Sequence, residues 1–209
     1  MTTIYKMILL LSMMAIVCFS FSTSAYSWPL YSKPEFRGRV IDAETKEPIE
    51  VAVVVVLYYK RPLIGGPGGP NSYVFNAKET LTDNKGEFYF SSYSSLILFT
   101  EDVGANFIFY KPGYMSSYGP THVNVALIEK YFSSDAIGKE AEIEVGSFED
   151  SSYVKWKGPL GIVELKRAKT YDERRIGVPS TPTGYTAKDL PLIFKAITDD
   201  RKERGLEVR

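Results

Sequence analysis

The chain has 209 residues, with 25 Lys and Arg balanced against 25 Asp and Glu, a balance that does not point to nucleic acid or to an anionic membrane surface as partner. A single histidine and a single cysteine exclude the usual His/Cys zinc sets and any disulfide within the chain. With 12 Phe, 15 Tyr, 16 Gly and 12 Pro, the composition is rich in strand formers and turn formers, as an all-β protein requires.

Residues 1–27 read as a cleavable export signal. Lys6 is the only charge before Lys33, and it precedes the largely apolar run Met7 to Phe21, interrupted only by Ser12 and Ser20. Ala25 and Ser27 put small residues at the −3 and −1 positions of a cut before Trp28, completing the three-part pattern of a secretory signal. A retained anchor is the alternative, but the run is shorter than the ~20 apolar residues that span a bilayer core. Cys18 follows Ala15-Ile16-Val17 and so lacks a lipoprotein context. Cleavage removes it, leaving a mature chain with neither thiol nor disulfide chemistry and no integral membrane span. The expected location is periplasmic or extracellular.

In chain order, Phe36 to Asp42 alternates as an edge or half-buried strand. After the turn Ala43 to Pro48, Val51 to Tyr59 is apolar on both faces and β-branched, which predicts the most buried strand. Gly65, Gly66, Pro67, Gly68, Gly69 and Pro70 interrupt any ladder and form a long loop. Tyr73 to Thr82 and Glu87 to Ser91 read as a hairpin around the turn Asp83-Asn84-Lys85-Gly86, with Phe88 and Phe90 on one face. Asn106 to Tyr110 is a short strand closed by Lys111-Pro112-Gly113. Between Met115 and Ile137 the signals are mixed, with Val123 to Leu127 a candidate strand and Ile128 to Phe132 a candidate short helix. Glu142 to Val145, Tyr153 to Lys157 and Gly161 to Arg167 are further short strands. Residues 169–186 read as a linker, and Thr186 with Asp189 as a variant capping box for an amphipathic helix over 187–204. The stripe Leu190, Phe194 and Ile197 is expected to dock on the chain's own sandwich, with presentation to a partner as the alternative.

Three ordered segments then resemble carboxypeptidase regulatory-like domains: Gly38-Arg39-Val40-Ile41-Asp42 with Thr45-Lys46-Glu47-Pro48-Ile49, then Thr82-Asp83-Asn84-Lys85-Gly86-Glu87-Phe88-Tyr89-Phe90, then Lys111-Pro112-Gly113-Tyr114. The resemblance covers roughly 36 to 114. It implies an all-β, Greek-key, transthyretin-like β-sandwich of about seven strands, usually a non-catalytic accessory domain of secreted or envelope proteins. The sandwich would occupy 28–168. Two departures stand out: the long loop from Lys60 to Asn71, and an insertion at 115–158 that must hold extra strands or a subsidiary hairpin.

The residues argue against catalysis. His122 has no G-x-S-x-G elbow to serve, and it reads as a loop or surface residue. Hydrolases of the transthyretin type use several histidines and a C-terminal Tyr-Arg-Gly-Ser, whereas this chain ends Leu206-Glu207-Val208-Arg209. The acidic stretches Asp83 to Glu87 and Glu149-Asp150 lack the spacing of a calcium loop, so neither metal nor cofactor is expected. What remains is contact. A long exposed loop on a rigid sandwich is a common binding surface, and Gly65 to Pro70 together with Tyr114, Tyr118 and Tyr153 are the candidate contact residues; the alternatives are a plain flexible connection for the loop and packing in the sandwich for the tyrosines, the latter being the expectation. The partner is expected to be an envelope protein or, if exposed aromatics form a platform, a glycan. Trp156, between two lysines, is expected to face the core.

Overall fold

The computed structural model describes residues 30–65, 69–118, 131–132, 137–146 and 153–205. Its strands are β1 (Leu30–Lys33), β2 (Phe36–Asp42), β3 (Val53–Pro62), β4 (Tyr73–Leu81), β5 (Glu87–Phe90), β6 (Tyr93–Leu96), β7 (Thr100–Tyr110), β8 (Ser117–Tyr118), β9 (Glu140–Gly146), β10 (Tyr153–Pro159) and β11 (Ile162–Leu165), followed by helices α1 (Tyr171–Ile176) and α2 (Pro191–Glu203). The architecture is all-β and sandwich-like. One sheet has the order β4-β3-β7-β8 and the other β11-β2-β5, seven strands in all, and the pairs β1-β6 and β9-β10 lie outside them.

The centre of the larger sheet is the strand whose sequence is apolar on both faces. Because side chains alternate along a strand, β3 sends Val54, Val56 and Tyr58 into a core shared with Phe36, Val40, Phe88, Phe90, Phe107 and Phe109. Its other face sends Val53, Val55 and Leu57 against Leu190, Ile193 and Ile197 of the tail, together with Ile108 and Tyr110 of β7. One strand therefore carries two hydrophobic layers. The inner layer is aromatic: the Phe36 and Phe107 rings meet edge to face at 5.1 Å, and Phe107 lies 4.5 Å from Phe132. Tyr31 of β1 reaches across to donate its hydroxyl to the Gly104 carbonyl at 2.8 Å.

Two glycines are required by close approach. A Cβ on Gly38 would fall 2.6 Å from the Phe88 ring, and one on Gly86 would fall 2.4 Å from the Val40 carbonyl, at a φ of +72° that also favours glycine. Val40 N–H donates to the Gly86 carbonyl at 2.8 Å, so the turn is pinned against β2.

Four expectations are decided. Of the two readings of 36–42, half-buried holds and edge does not: β2 lies between β5, antiparallel, and β11, parallel, with every second residue buried. Segments 73–81 and 87–90 do not form a hairpin, because β4 pairs with β3 and β5 pairs with β2. The tight turn is present, with Gly86 N–H on the Asp83 carbonyl at 2.9 Å, but it carries the chain from one sheet to the other. Thr82 enforces the crossing from within. Its buried Oγ1 accepts the Ala52 N–H at 2.8 Å and donates to the Ile49 carbonyl at 2.7 Å, fixing the end of β4 to the start of β3.

The third concerns 169–186, which is not a plain linker. Helix α1 forms there, with a capping box in which Thr170 accepts from the Glu173 N–H and the Glu173 carboxylate accepts from the Thr170 N–H. Fourth, the last helix starts at Pro191 rather than at 187. Thr186 and Asp189 do bond, their side chains 2.7 Å apart, but they close a turn ahead of the helix. Proline bars helical backbone at the residue before it, and Leu190 accordingly sits at φ −133° and ψ 67°. The free amides of the first turn are met by Glu79 of β4, whose carboxylate accepts the Leu192 and Ile193 N–H groups at 2.6 and 3.0 Å. A carboxylate there also complements the helix dipole.

Inside the 115–158 interval, β9 and β10 pair antiparallel from Glu140↔Pro159 to Gly146↔Tyr153. The expected signal at 1–27, the expected strand Val123 to Leu127 and most of the expected helix Ile128 to Phe132 lie outside the described residues, as does the side chain of Trp156. No helix among the described residues is long and apolar enough to cross a membrane.

Candidate functional site

Strands β3 and β7 run together to one end of the sandwich, where Pro62 faces Thr100. Beyond that pair the Leu63 N–H donates to the Phe99 carbonyl at 3.0 Å. The ladder therefore extends by one bond into the β3–β4 loop and the β6–β7 turn, and their tips are held side by side. The side chains carried there are apolar and face water: Ile64 is 87% and Phe99 73% exposed, with Leu63 and Leu98 also exposed. Ile97, between Leu96 and Leu98, turns inward and is buried. Leu96 pairs with Leu30 across β6 and β1, and both are exposed.

Phe99 is held at φ +56°. For a residue with a Cβ the left-handed region costs roughly 1–2 kcal/mol, and here that strain is spent on keeping an aromatic ring in solvent. Behind the tip comes a mixed row. The Arg61 guanidinium meets the Glu101 carboxylate at 2.5 Å, and Lys60 Nζ lies 4.9 Å from the Phe75 ring and 5.5 Å from the half-exposed Tyr73 ring. Lys33 is buried and paired with Asp102 at 2.7 Å. Further in, burial, reinforced by nearby Tyr93, pushes the Tyr58 phenol up to about 12.

The candidate contact residues fall in two places. Gly65, Gly69 and Pro70 are exposed and belong to this end; a Cβ on Gly65 would fall 2.2 Å from the Pro70 nitrogen, so the loop doubles back on itself there. Gly66, Pro67 and Gly68 lie outside the described residues. Tyr114 sits at the opposite end, half-buried against the core, with its hydroxyl donating to the Asp42 carboxylate at 3.0 Å. Tyr118 and Tyr153 are in β8 and β10, and their side chains lie outside the described residues, as do His122 and Cys18.

The residues that form the tip, Leu63, Ile64, Leu98 and Phe99, were missed by the sequence reading. A signal was present in Leu96-Ile97-Leu98-Phe99, four consecutive apolar residues after two serines, but nothing in the pattern says that only one of the four turns inward.

The opposite end is held by polar side chains, with Val51 and Leu81 exposed beside them. The buried Asp42 carboxylate receives the Arg167 guanidinium at 2.6 Å, the Tyr114 hydroxyl, and the Glu44 and Thr45 N–H groups at 2.8 and 3.0 Å. Arg167 first, then the backbone donors, hold its carboxyl well below the usual range. Asp83, weighed above as a calcium ligand, spends Oδ1 on the Lys85 and Glu87 N–H groups at 2.9 and 2.8 Å; the other stretch, Glu149-Asp150, lies outside the described residues. Among the described residues no group of three His, Cys, Asp or Glu side chains is placed to hold a metal ion. No protein-family model matches the chain, and no curated protein and no solved structure shows significant similarity to it.

Proposed function

We propose that the protein is a non-catalytic, exported contact module of the cell envelope or extracellular space, and that it works through the end of the sandwich formed by the β3–β4 loop and the β6–β7 turn. The observation that carries this reading is the exposed apolar tip of Leu63, Ile64, Leu98 and Phe99, held by the Leu63–Phe99 backbone bond. Scattered exposed apolar residues are ordinary, whereas contiguous ones mark contact surfaces. A bulky residue kept in a strained conformation with its ring in water is a second sign of the same thing. The export pattern at 1–27 and the resemblance to carboxypeptidase regulatory-like domains support the same class of function.

The test is a photo-cross-linking residue placed at Ile64 in the full chain and expressed in intact cells, with Lys85, in the turn at the opposite end, as reference. The expected result is a defined adduct at position 64, absent at position 85. Equal labelling at both positions would sink the reading.

A further inference from the structure

We infer that the partner of this tip is the surface of a lipid bilayer. The inference rests on the contact reading above and names its occupant. The side chains of Leu63, Ile64, Leu98 and Phe99 bring no polar atom, and the Leu63 N–H is taken up by the Phe99 carbonyl. Such a surface offers area without directional donors. Protein interfaces, by contrast, are read through about ten hydrogen bonds as well as apolar burial. The tip is also built from two adjacent loop ends on strands that stop together, a projecting shape suited to entering a soft medium.

The order of chemistry behind the tip fits an interface. Ile64 lies three residues beyond Arg61, so the Arg61–Glu101 row stands two to three strand steps back, or about 7–10 Å at ~3.3 Å per residue. That matches the depth of ~5–10 Å to which apolar faces enter the boundary between headgroups and acyl chains. At that level the protein places a neutral ion pair and, one residue further, Lys60 against the Tyr73 ring, the amphipathic groups that favour the headgroup region. The zero net charge leaves apolar burial as the driving term, so a zwitterionic surface suffices.

The chain outside the described residues points the same way. Residues 22–29 separate the apolar run 7–21 from Leu30. In the alternative in which the run is retained as an anchor, eight residues span at most ~29 Å even fully extended, so the bilayer that holds it lies within that reach of Leu30. Leu30 in turn faces Leu96, two residues before the tip.

The test uses the full chain in protein-free vesicles of phosphatidylcholine and phosphatidylethanolamine. A polarity-sensitive fluorophore is attached to Ile64→Cys, with Lys85→Cys as reference, both in a Cys18→Ser background; unchanged melting of each variant shows that the fold is retained. At position 64 the expected result is a blue shift with several-fold protection from an aqueous quencher, and at position 85 neither. Adding Leu63→Ser and Phe99→Ser should abolish the response at 64. The inference is overturned if position 64 behaves like position 85, or if its response survives the serine substitutions. A water-exposed label at 64 together with a protein adduct there in cells would remove the bilayer and leave the contact reading standing. A water-exposed label with no adduct would remove both.

Discussion

At the end of the sandwich where β2 stops, three polar side chains fix the chain: Asp42 gathers Arg167, Tyr114 and two amides, Thr82 ties β3 to β4, and Asp83 closes its own turn. At the end where β3 leads into β4, apolar side chains stand in water and Phe99 is held in a strained backbone state. The first end is built as a stable closure would be. Positive φ at a residue with a Cβ occurs at both ends, at Lys46 and Val51 as at Phe99; the second end differs in the bulk of apolar side chain that it leaves in water, which places folding and contact at opposite ends of one scaffold.

Three substitutions probe that contrast. The largest effect is expected from Asp200→Ala beneath α2. Asp200 is buried, pairs with Arg204 at 2.8 Å and lies 3.6 Å from Arg174 of α1. The Tyr110 phenol is held well above its ordinary value, by burial first and Asp200 second. Removing one member of a buried ion pair costs ~3–5 kcal/mol, here because Arg204 stays buried and loses its carboxylate. Urea titration followed by far-UV circular dichroism reads this, and a loss below ~1 kcal/mol would mean that the tail is not locked to the sheet as described.

A smaller effect should separate the closed end by its pH dependence. The Asp42 carboxyl is depressed in the folded protein, so its contribution to stability is present above its unfolded value of about 3.9 and is lost as pH falls below that toward the folded value. The urea midpoint of the parent should therefore fall on acidification from about pH 5. Asp42→Asn should start lower at neutral pH, fall less steeply, and approach the parent in strong acid. Parallel curves would show that Asp42 does not carry the acid sensitivity of this end.

The smallest effect, and one of opposite sign, belongs to the tip. Phe99→Gly relieves the left-handed strain without removing a buried side chain, so it should raise stability by up to about 1 kcal/mol. The same variant should weaken whatever the tip binds. A clear loss of stability would mean that the ring packs as a core residue and that the two ends do not differ in kind.

Much of the scaffold was legible because periodicity and turn chemistry are local. The run of valines in β3 announced burial on both faces, and Gly38 and Gly86 were needed wherever the backbone packed so closely. The errors arose where pairing is decided at a distance. Asp83 to Gly86 has the composition of a hairpin turn, but a turn fixes only the chain reversal; whether the flanking strands bond each other or separate partners depends on β2 and β3. Thr186 and Asp189 form the local motif that their spacing suggests, yet Pro191 moved the helix start and Glu79, more than a hundred residues upstream, capped it. Thr170 with Glu173 was a readable capping box inside a stretch treated as linker.

The sequence by itself determined that the fold is β-rich, which strand lies at its centre, and where the tight turns fall, because alternation and positive-φ glycines act within a few residues. Only the tertiary structure decided which apolar residues remain outside. Leu63, Ile64, Leu98 and Phe99 have the composition of core, but the strands beneath them end before any other described residue is left to bury them against.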